Sequence, residues 1–313
     1  MKNDSREQLW LRERNCEIAF AELEPFWFVT AERLPRVLFA GDNDFKVGMN
    51  GIAVMAAKSG VLVLCFVIMS DHAHFLLTGS LENCEAFFDG WKRMIWLWDR
   101  ERNGADPAIY QWGARFDEVK DLKSLRDITA YIARNPYVAR RDSTPIGYPY
   151  GSADMVFNGN RMFLDRGIDF SDLTAAMRKN ICRSRAYILP AHYKVCDGWI
   201  TKESFVAYRE LERLFSSAHQ YFNLLTKHAE ADIEISRLIG EHIGAPDDEV
   251  FATAIKTAKD LFGDGCKLRD LSLEQKMTVA KKLRFGCNAS NRQLAQILCL
   301  PRQVVDSAWP MAE

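Results

Sequence analysis

The sequence predicts an α+β protein in which a ferredoxin-like, split βαβ antiparallel sheet flanked by helices is followed by an all-helical C-terminal region. Three observations carry this. In the first half, short aromatic and β-branched runs alternate with helical apolar periodicity, in the order strand, helix, strand, strand, helix, strand, helix. A hairpin is explicit at Val61–Gly79, where one apolar run breaks at Ser70-Asp71 and another follows. From about Phe170 onward the pattern is almost entirely helical, so the chain divides near 155–170 into units 1–160 and 161–313.

Each element has its own signal. A polar, helical lead-in precedes Phe26–Thr30, a first strand by its aromatic and β-branched content. Leu34-Pro35 breaks the pattern, and Asp42–Ser59 forms a helix with apolar residues at 45, 49, 52, 55 and 56, closed by Ser59-Gly60. The hairpin comes next. Between Leu81 and Arg102, Phe87, Phe88, Trp91, Met94, Ile95 and Trp98 recur on one helical face, opposite Lys92, Arg93, Arg100 and Arg102. Ile109–Val119 reads as a strand or extended loop. Asp121 or Ser124 then caps a helix striped by Leu125, Ile128 and Ile132, which Pro136 stops.

With 313 residues, 48% of them apolar, the chain can bury a sizeable core, and its net charge of −1 means any nucleic-acid contact must rest on local basic surface. Eight isolated cysteines, none in a C-x-x-C pair, suit a reducing compartment. The N-terminus carries no secretory apolar region, and the longest apolar run, Val61–Met69, is too short to span a bilayer, so a cytoplasmic location with no membrane partner is expected.

His72 and His74 carry the first chemical signal. Two residues apart on a strand, they point to one face, where paired imidazoles can hold a divalent cation. A lone His-x-His is also compatible with ordinary core histidines. Tyr131 and Asn135, four residues apart, share a helical face. Separately, a helical tyrosine packs at a core rim and an asparagine before proline ends a helix. Together with the histidines, an amide oxygen could complete a cation site, and the phenol could attack a phosphate bound there.

The segments FVIMSDHAHFLL, YQWGARFDEV and AYIARNPYVA, in that order, resemble the single-tyrosine HUH transposases, and most closely their REP-associated tyrosine transposase (RAYT) branch, over roughly residues 25–152. Met69-Ser70-Asp71 stands where that family has Met-Pro-Asn. The resemblance implies His72, His74 and Asn135 as metal ligands, Tyr131 as nucleophile, and Mg²⁺ or Mn²⁺ as the cofactor. It also implies a partner: single-stranded DNA bearing an imperfect hairpin from palindromic repeats, cleaved to a 5′-phosphotyrosine and a free 3′-hydroxyl. Lys92, Arg93, Arg134, Arg140 and Arg141 are candidates to track the phosphates, each with a solvated face as the alternative.

In the second half, the basic cluster RKNICRSR lies near Tyr187, Tyr193 and Trp199, a pattern that suits nucleic acid or a packing edge equally. About 272–310 resembles a helix-turn-helix: Leu273–Phe285, Asn291–Leu298, a turn at Cys299–Pro301, and Arg302–Trp309. Ala295 is small where helices approach, Val304 and Val305 are core candidates, and Arg302, Gln303, Asp306 and Ser307 are offered to DNA. A plain helical bundle is the alternative. The expected function is therefore a metal-dependent DNA strand transferase. Its rivals are a non-catalytic DNA-binding regulator acting through the helix-turn-helix and a His-x-His hydrolase with no covalent step. Monomer and homodimer are both open.

Overall fold

The computed structural model describes residues 2–34, 36–104, 107–139, 144–159, 167–183, 189–226, 247–263, 265–286 and 289–309. The first half comprises α1 (Lys2–Leu23), β1 (Phe26–Ala31), α2 (Asp42–Ser59), β2 (Leu62–Ile68), β3 (Ala73–Thr78), α3 (Leu81–Asn103), α4 (Pro107–Tyr110), β4 (Ala114–Val119) and α5 (Leu122–Ala139). The strands form one antiparallel sheet in the order β2-β3-β1-β4. Side chains alternate faces along each strand. Val29, Ala31, Ala73, Phe75 and Leu77 therefore enter one core with α2 and α3, while Phe26, Leu76 and Val119 enter another with α1 and α5.

The first core is tightly closed. Trp91 of α3 is fully buried and its indole N–H donates to the Gly48 carbonyl of α2 over 2.8 Å. A Cβ on Gly51 would meet the Trp91 ring at 3.1 Å, so glycine lets α2 approach that closely. The outer edge of β2 is covered rather than open. Val67 bridges Gly151, Ile68 N–H donates to Tyr150, Ser152 N–H donates to Phe66, and Val63 bridges Val206.

Two local expectations are corrected. Helix α5 runs through Pro136 to Ala139 instead of stopping before the proline, with Asp121 accepting from Ser124 N–H at its start. A proline inside a helix costs one backbone hydrogen bond, and here the helix continues regardless. Ile109-Tyr110 falls in the short helix α4, so the strand begins only at Ala114.

The second half is largely helical but not entirely so. Its elements are β5 (Ile168–Asp169), α6 (Ala175–Cys182), β6 (Lys194–Cys196), β7 (Trp199–Ile200), α7 (Lys202–Phe205), α8 (Tyr208–Arg213), a helix α9 described over 218–226, α10 (Asp247–Phe262), α11 (Leu273–Gly286), α12 (Asn291–Ile297) and α13 (Arg302–Ala308). Strands β5-β6-β7 make a small antiparallel sheet where helix was expected. Two- and three-residue strands are too short to show a period of two.

The apolar cores also cross the region where the pattern changes. Phe170, Ile181, Val195, Ile200 and Phe205 pack with the α2/α3 core, and Leu211, Leu214, Tyr221 and Leu225 extend the α5 core. Asn50 on α2 fixes the β6–β7 hairpin, donating to Gly198 and accepting from Ile200 N–H, each over 2.8 Å. A separate core forms around α10 to α13, from residues including Val250, Ala254, Val279, Leu283, Leu294, Leu298 and Val305. Among the described residues no helix is long and apolar enough to cross a membrane.

Candidate active site

His74 lies on β3 opposite Thr30 of β1, and His72 lies two residues earlier, just before the strand. The period of two places both on the α5 face. Their rings sit 5.1 Å apart, nearly perpendicular, and both are about 3% exposed. Tyr131 comes down from α5 onto this pair. Its ring centroid is 5.2 Å from that of His74 and 5.9 Å from that of Phe28, edge-on to each. Phe28 in turn stacks on His74 at 5.7 Å. Tyr131 itself is 43% exposed, so its phenol reaches solvent while its ring is held from below.

The turn before His72 carries more of the site than its spacing suggested. Asp71 is fully buried, and its Oδ1 lies 2.6 Å from His72 Nδ1. Its second oxygen faces Arg33 Nη1 at 3.4 Å and also accepts from the side-chain amide of Gln296, far along the chain on α12. Burial alone would raise the Asp71 carboxyl. The hydrogen bond and charge of His72, with Arg33 and Gln296, outweigh it and hold the group at about 2. A carboxylate can only accept, so Nδ1 of His72 is the protonated nitrogen of that contact. The turn backbone is clamped as well: the Ser70 carbonyl accepts from Leu38 and Phe39 N–H, and the Asp71 carbonyl from Leu34 N–H.

His74 is oriented in parallel fashion, with Nδ1 3.4 Å from Thr30 Oγ1. Burial, then the electrostatic influence of the neighbouring His72 ring and of the Arg33 and Arg115 guanidiniums, pushes its pKa down to about 3, against the pull of Asp71. It is a neutral imidazole at ordinary pH. Both rings thus use Nδ1 for a supporting oxygen, the arrangement that leaves Nε2 as the metal-binding nitrogen in carboxylate-histidine-metal sites. Two imidazoles with an amide oxygen would make a mixed donor set, the imidazoles favouring transition metals such as Zn²⁺ or Fe²⁺ and the oxygen also admitting Mn²⁺ and Mg²⁺. Arg33 complicates this, since its Nη2 stands 3.5 Å from His72 Nε2, a cation already beside the nitrogen a metal would take. Among the described residues no group of three or more His, Cys, Asp or Glu side chains is placed to hold a metal. A cation here would have to be held by the two histidines together with oxygens from outside these side-chain types.

Asn135 follows Tyr131 by one helical turn and is half-buried, with no hydrogen bond to either imidazole among the described residues. The basic candidates scatter. Arg134 is buried, not displayed to a phosphate chain. Lys92 and Arg93 lie on α3, across the sheet from the histidines, and Lys92 pairs with Asp89 at 3.1 Å. Arg140 and Arg141 lie outside the described residues. Arg302 and Gln303 are exposed on α13, and Arg302 pairs with Asp306 at 2.9 Å. Val305 is buried and Val304 partly so, while Tyr193 is buried in the first core and Tyr187 falls outside the described residues.

Sequence reasoning missed Arg33, Thr30, Arg115, Gln296 and the role of Asp71. Arg115 shares the His74 face by register, opposite Thr30. Only strand pairing reveals Thr30 and Arg115, whereas Asp71 stood in plain view beside His72.

Comparison with protein-family models, curated proteins and solved structures gives no significant match to this chain in any of the three.

Proposed function

We propose that the chain is a metal-dependent single-stranded DNA strand transferase of the single-tyrosine HUH type, with the RAYT branch as the resemblance it follows. The observation that carries this reading is the convergence of His72, His74 and Tyr131 on one sheet face, with successive ring separations of 5.1 and 5.2 Å. The split βαβ element order and the strand order β2-β3-β1-β4 support the ferredoxin-like sheet that the resemblance implies. Exposed Arg302, Gln303 and Ser307 on α13, following a tight turn at Cys299, support a helix-turn-helix reading of the C-terminal unit.

In this reading His72, His74 and Asn135 would hold Mg²⁺ or Mn²⁺, which would supply positive charge to the phosphate. Tyr131 supplies the nucleophile: its Oη–P bond forms as the P–O3′ bond breaks. The phenolic proton passes to solvent, to which Tyr131 is open, and the leaving 3′-oxygen takes a proton from water. Asp71 and Thr30 hold the imidazoles, and Arg33 offers positive charge to the phosphate. Labelled hairpin-bearing single-stranded DNA with Mn²⁺ is expected to give a covalent adduct that Tyr131→Phe abolishes. An adduct that survives this change removes Tyr131 as the nucleophile.

One observation favours a second reading. Arg33 beside His72 Nε2 supplies a positive charge without a metal. A DNA-binding regulator acting through α12 and α13 would use the site only as an ion-paired core. It predicts salt-sensitive DNA binding that chelator and His72→Ala leave unchanged.

A further inference from the structure

We infer that Gln296 is a positioning residue for the histidine pair, so that the C-terminal helical unit, through one side chain, fixes the His72 imidazole that the proposed function assigns to the metal. The inference rests on that proposed function. Within α12, Leu294 and Ile297 turn into the core shared with α10 and α11, as does Leu298 just beyond the helix. Gln296 turns the other way and is itself buried, its amide N–H donating to Asp71 Oδ2. The opposite oxygen of the same carboxylate holds His72 Nδ1 at 2.6 Å. The chain of contacts is therefore Gln296, Asp71, His72, across 225 residues of sequence.

The docking is not a lone contact. Val37 packs against the core of the helical unit, in the same loop whose Leu34, Leu38 and Phe39 N–H groups clamp the Ser70-Asp71 turn. Arg269 donates to the Asn103 carbonyl at the end of α3. A buried amide is costly unless bonded, and without Gln296 the outer Asp71 oxygen keeps only the 3.4 Å contact with the half-exposed Arg33, so the carboxylate is held less firmly against the imidazole. Partners one step removed from a metal typically change its affinity 10- to 100-fold when lost. Gln296 acts one step further out, so an effect near the lower end, about tenfold, is expected.

The test titrates the full chain with Mn²⁺, reading free Mn²⁺ by electron paramagnetic resonance. Gln296→Met keeps the length and packing of the side chain but removes its donors, and Glu274→Gln on the exposed side of α11 is the control. Weaker Mn²⁺ binding by about tenfold in Gln296→Met, with the control unchanged, supports the inference. Equal affinity in the parent and Gln296→Met overturns it. Should the parent bind no Mn²⁺, the proposed function fails and the inference is judged in the metal-free protein from the ring-nitrogen resonances of His72. There a shift from one tautomer to a mixture in Gln296→Met supports positioning, and unchanged resonances refute it. If Gln296→Met does not fold, Gln296→Asn, which stays polar but withdraws the donor from Asp71 by one methylene, gives the same readings.

Discussion

The two faces of the central sheet use the same strands differently. On β3, Ala73, Phe75 and Leu77 point to α2 and α3 and meet Phe87 and Trp91 in a core closed by aromatic edge contacts of 5.0 and 5.5 Å. On the other side, Leu76 is core, but His74 opens onto Tyr131, Thr30 and, through His72, the buried Asp71. One face is filled chiefly by packed aromatic and aliphatic side chains. The other keeps the polar groups around its histidines buried by giving them partners, and its solvent-reaching end belongs to Tyr131. The contrast shows where the chain can tolerate chemical change: packing is intolerant on the α2/α3 side, while orientation is intolerant on the α5 side.

The largest expected break in that contrast is Trp91→Ala. Removing a fully buried indole between glycine-lined helices leaves a cavity and takes away the indole hydrogen bond to the Gly48 carbonyl, with an expected cost of about 3–5 kcal/mol. Urea denaturation would show it as a lower midpoint. Mn²⁺ affinity of the folded fraction should stay the same, because the histidines lie across the sheet. A variant that loses metal binding before it loses stability would show that the two faces are not independent.

Asp71→Asn acts on the other face and is expected to be smaller in stability but larger in function. The amide can still accept from His72 Nδ1, yet it sets an N–H toward Arg33 and the Gln296 amide, where the carboxylate had accepted. Loss of Mn²⁺ affinity of about 10- to 100-fold is expected, with a stability cost of about 1–3 kcal/mol. Calorimetric titration and a denaturation curve on the same preparation separate the two. An unchanged Mn²⁺ affinity would mean that the Asp71 to His72 bond does not orient a ligand.

Much of this contrast was legible in the sequence, and what was not has identifiable physical causes. The bounds of α2, the β2/β3 hairpin and the common face of His72 and His74 follow from local periodicity, which the fold respects. Pro136 misled because a local helix breaker was overridden by packing: Ile132 and Ala133 are buried just before it. Arg134 read as surface because its helix face cannot be told from charge alone. Thr30, Arg115 and Gln296 reach the site only through strand register or through docking of a distant helix. No spacing rule applied to neighbours in sequence could bring them there. The departure at Ser70-Asp71 was visible, but its meaning required seeing that Asp71 sits between His72, Arg33 and Gln296.

The smallest effects sharpen the comparison by charge. Lys92→Ala and Arg93→Ala sit on α3, so each should change adduct formation less than about twofold and stability by no more than about 0.5 kcal/mol. Arg33→Ala should move two readings in opposite directions. Its guanidinium lies 3.5 Å from His72 Nε2, so removing it takes a like charge from beside a bound cation. Because the Arg33 side chain is 47% exposed, solvent screens that repulsion, and Mn²⁺ binding without DNA should tighten only a few-fold. Adduct formation should nevertheless slow several-fold, because the scissile phosphate loses a positive partner on the site face. Mn²⁺ titration and adduct kinetics on one variant read both. If Arg33→Ala slows the adduct no more than Lys92→Ala does, the positive charge beside the histidines serves Asp71 alone, and the site face is no more committed to phosphate than the packed one.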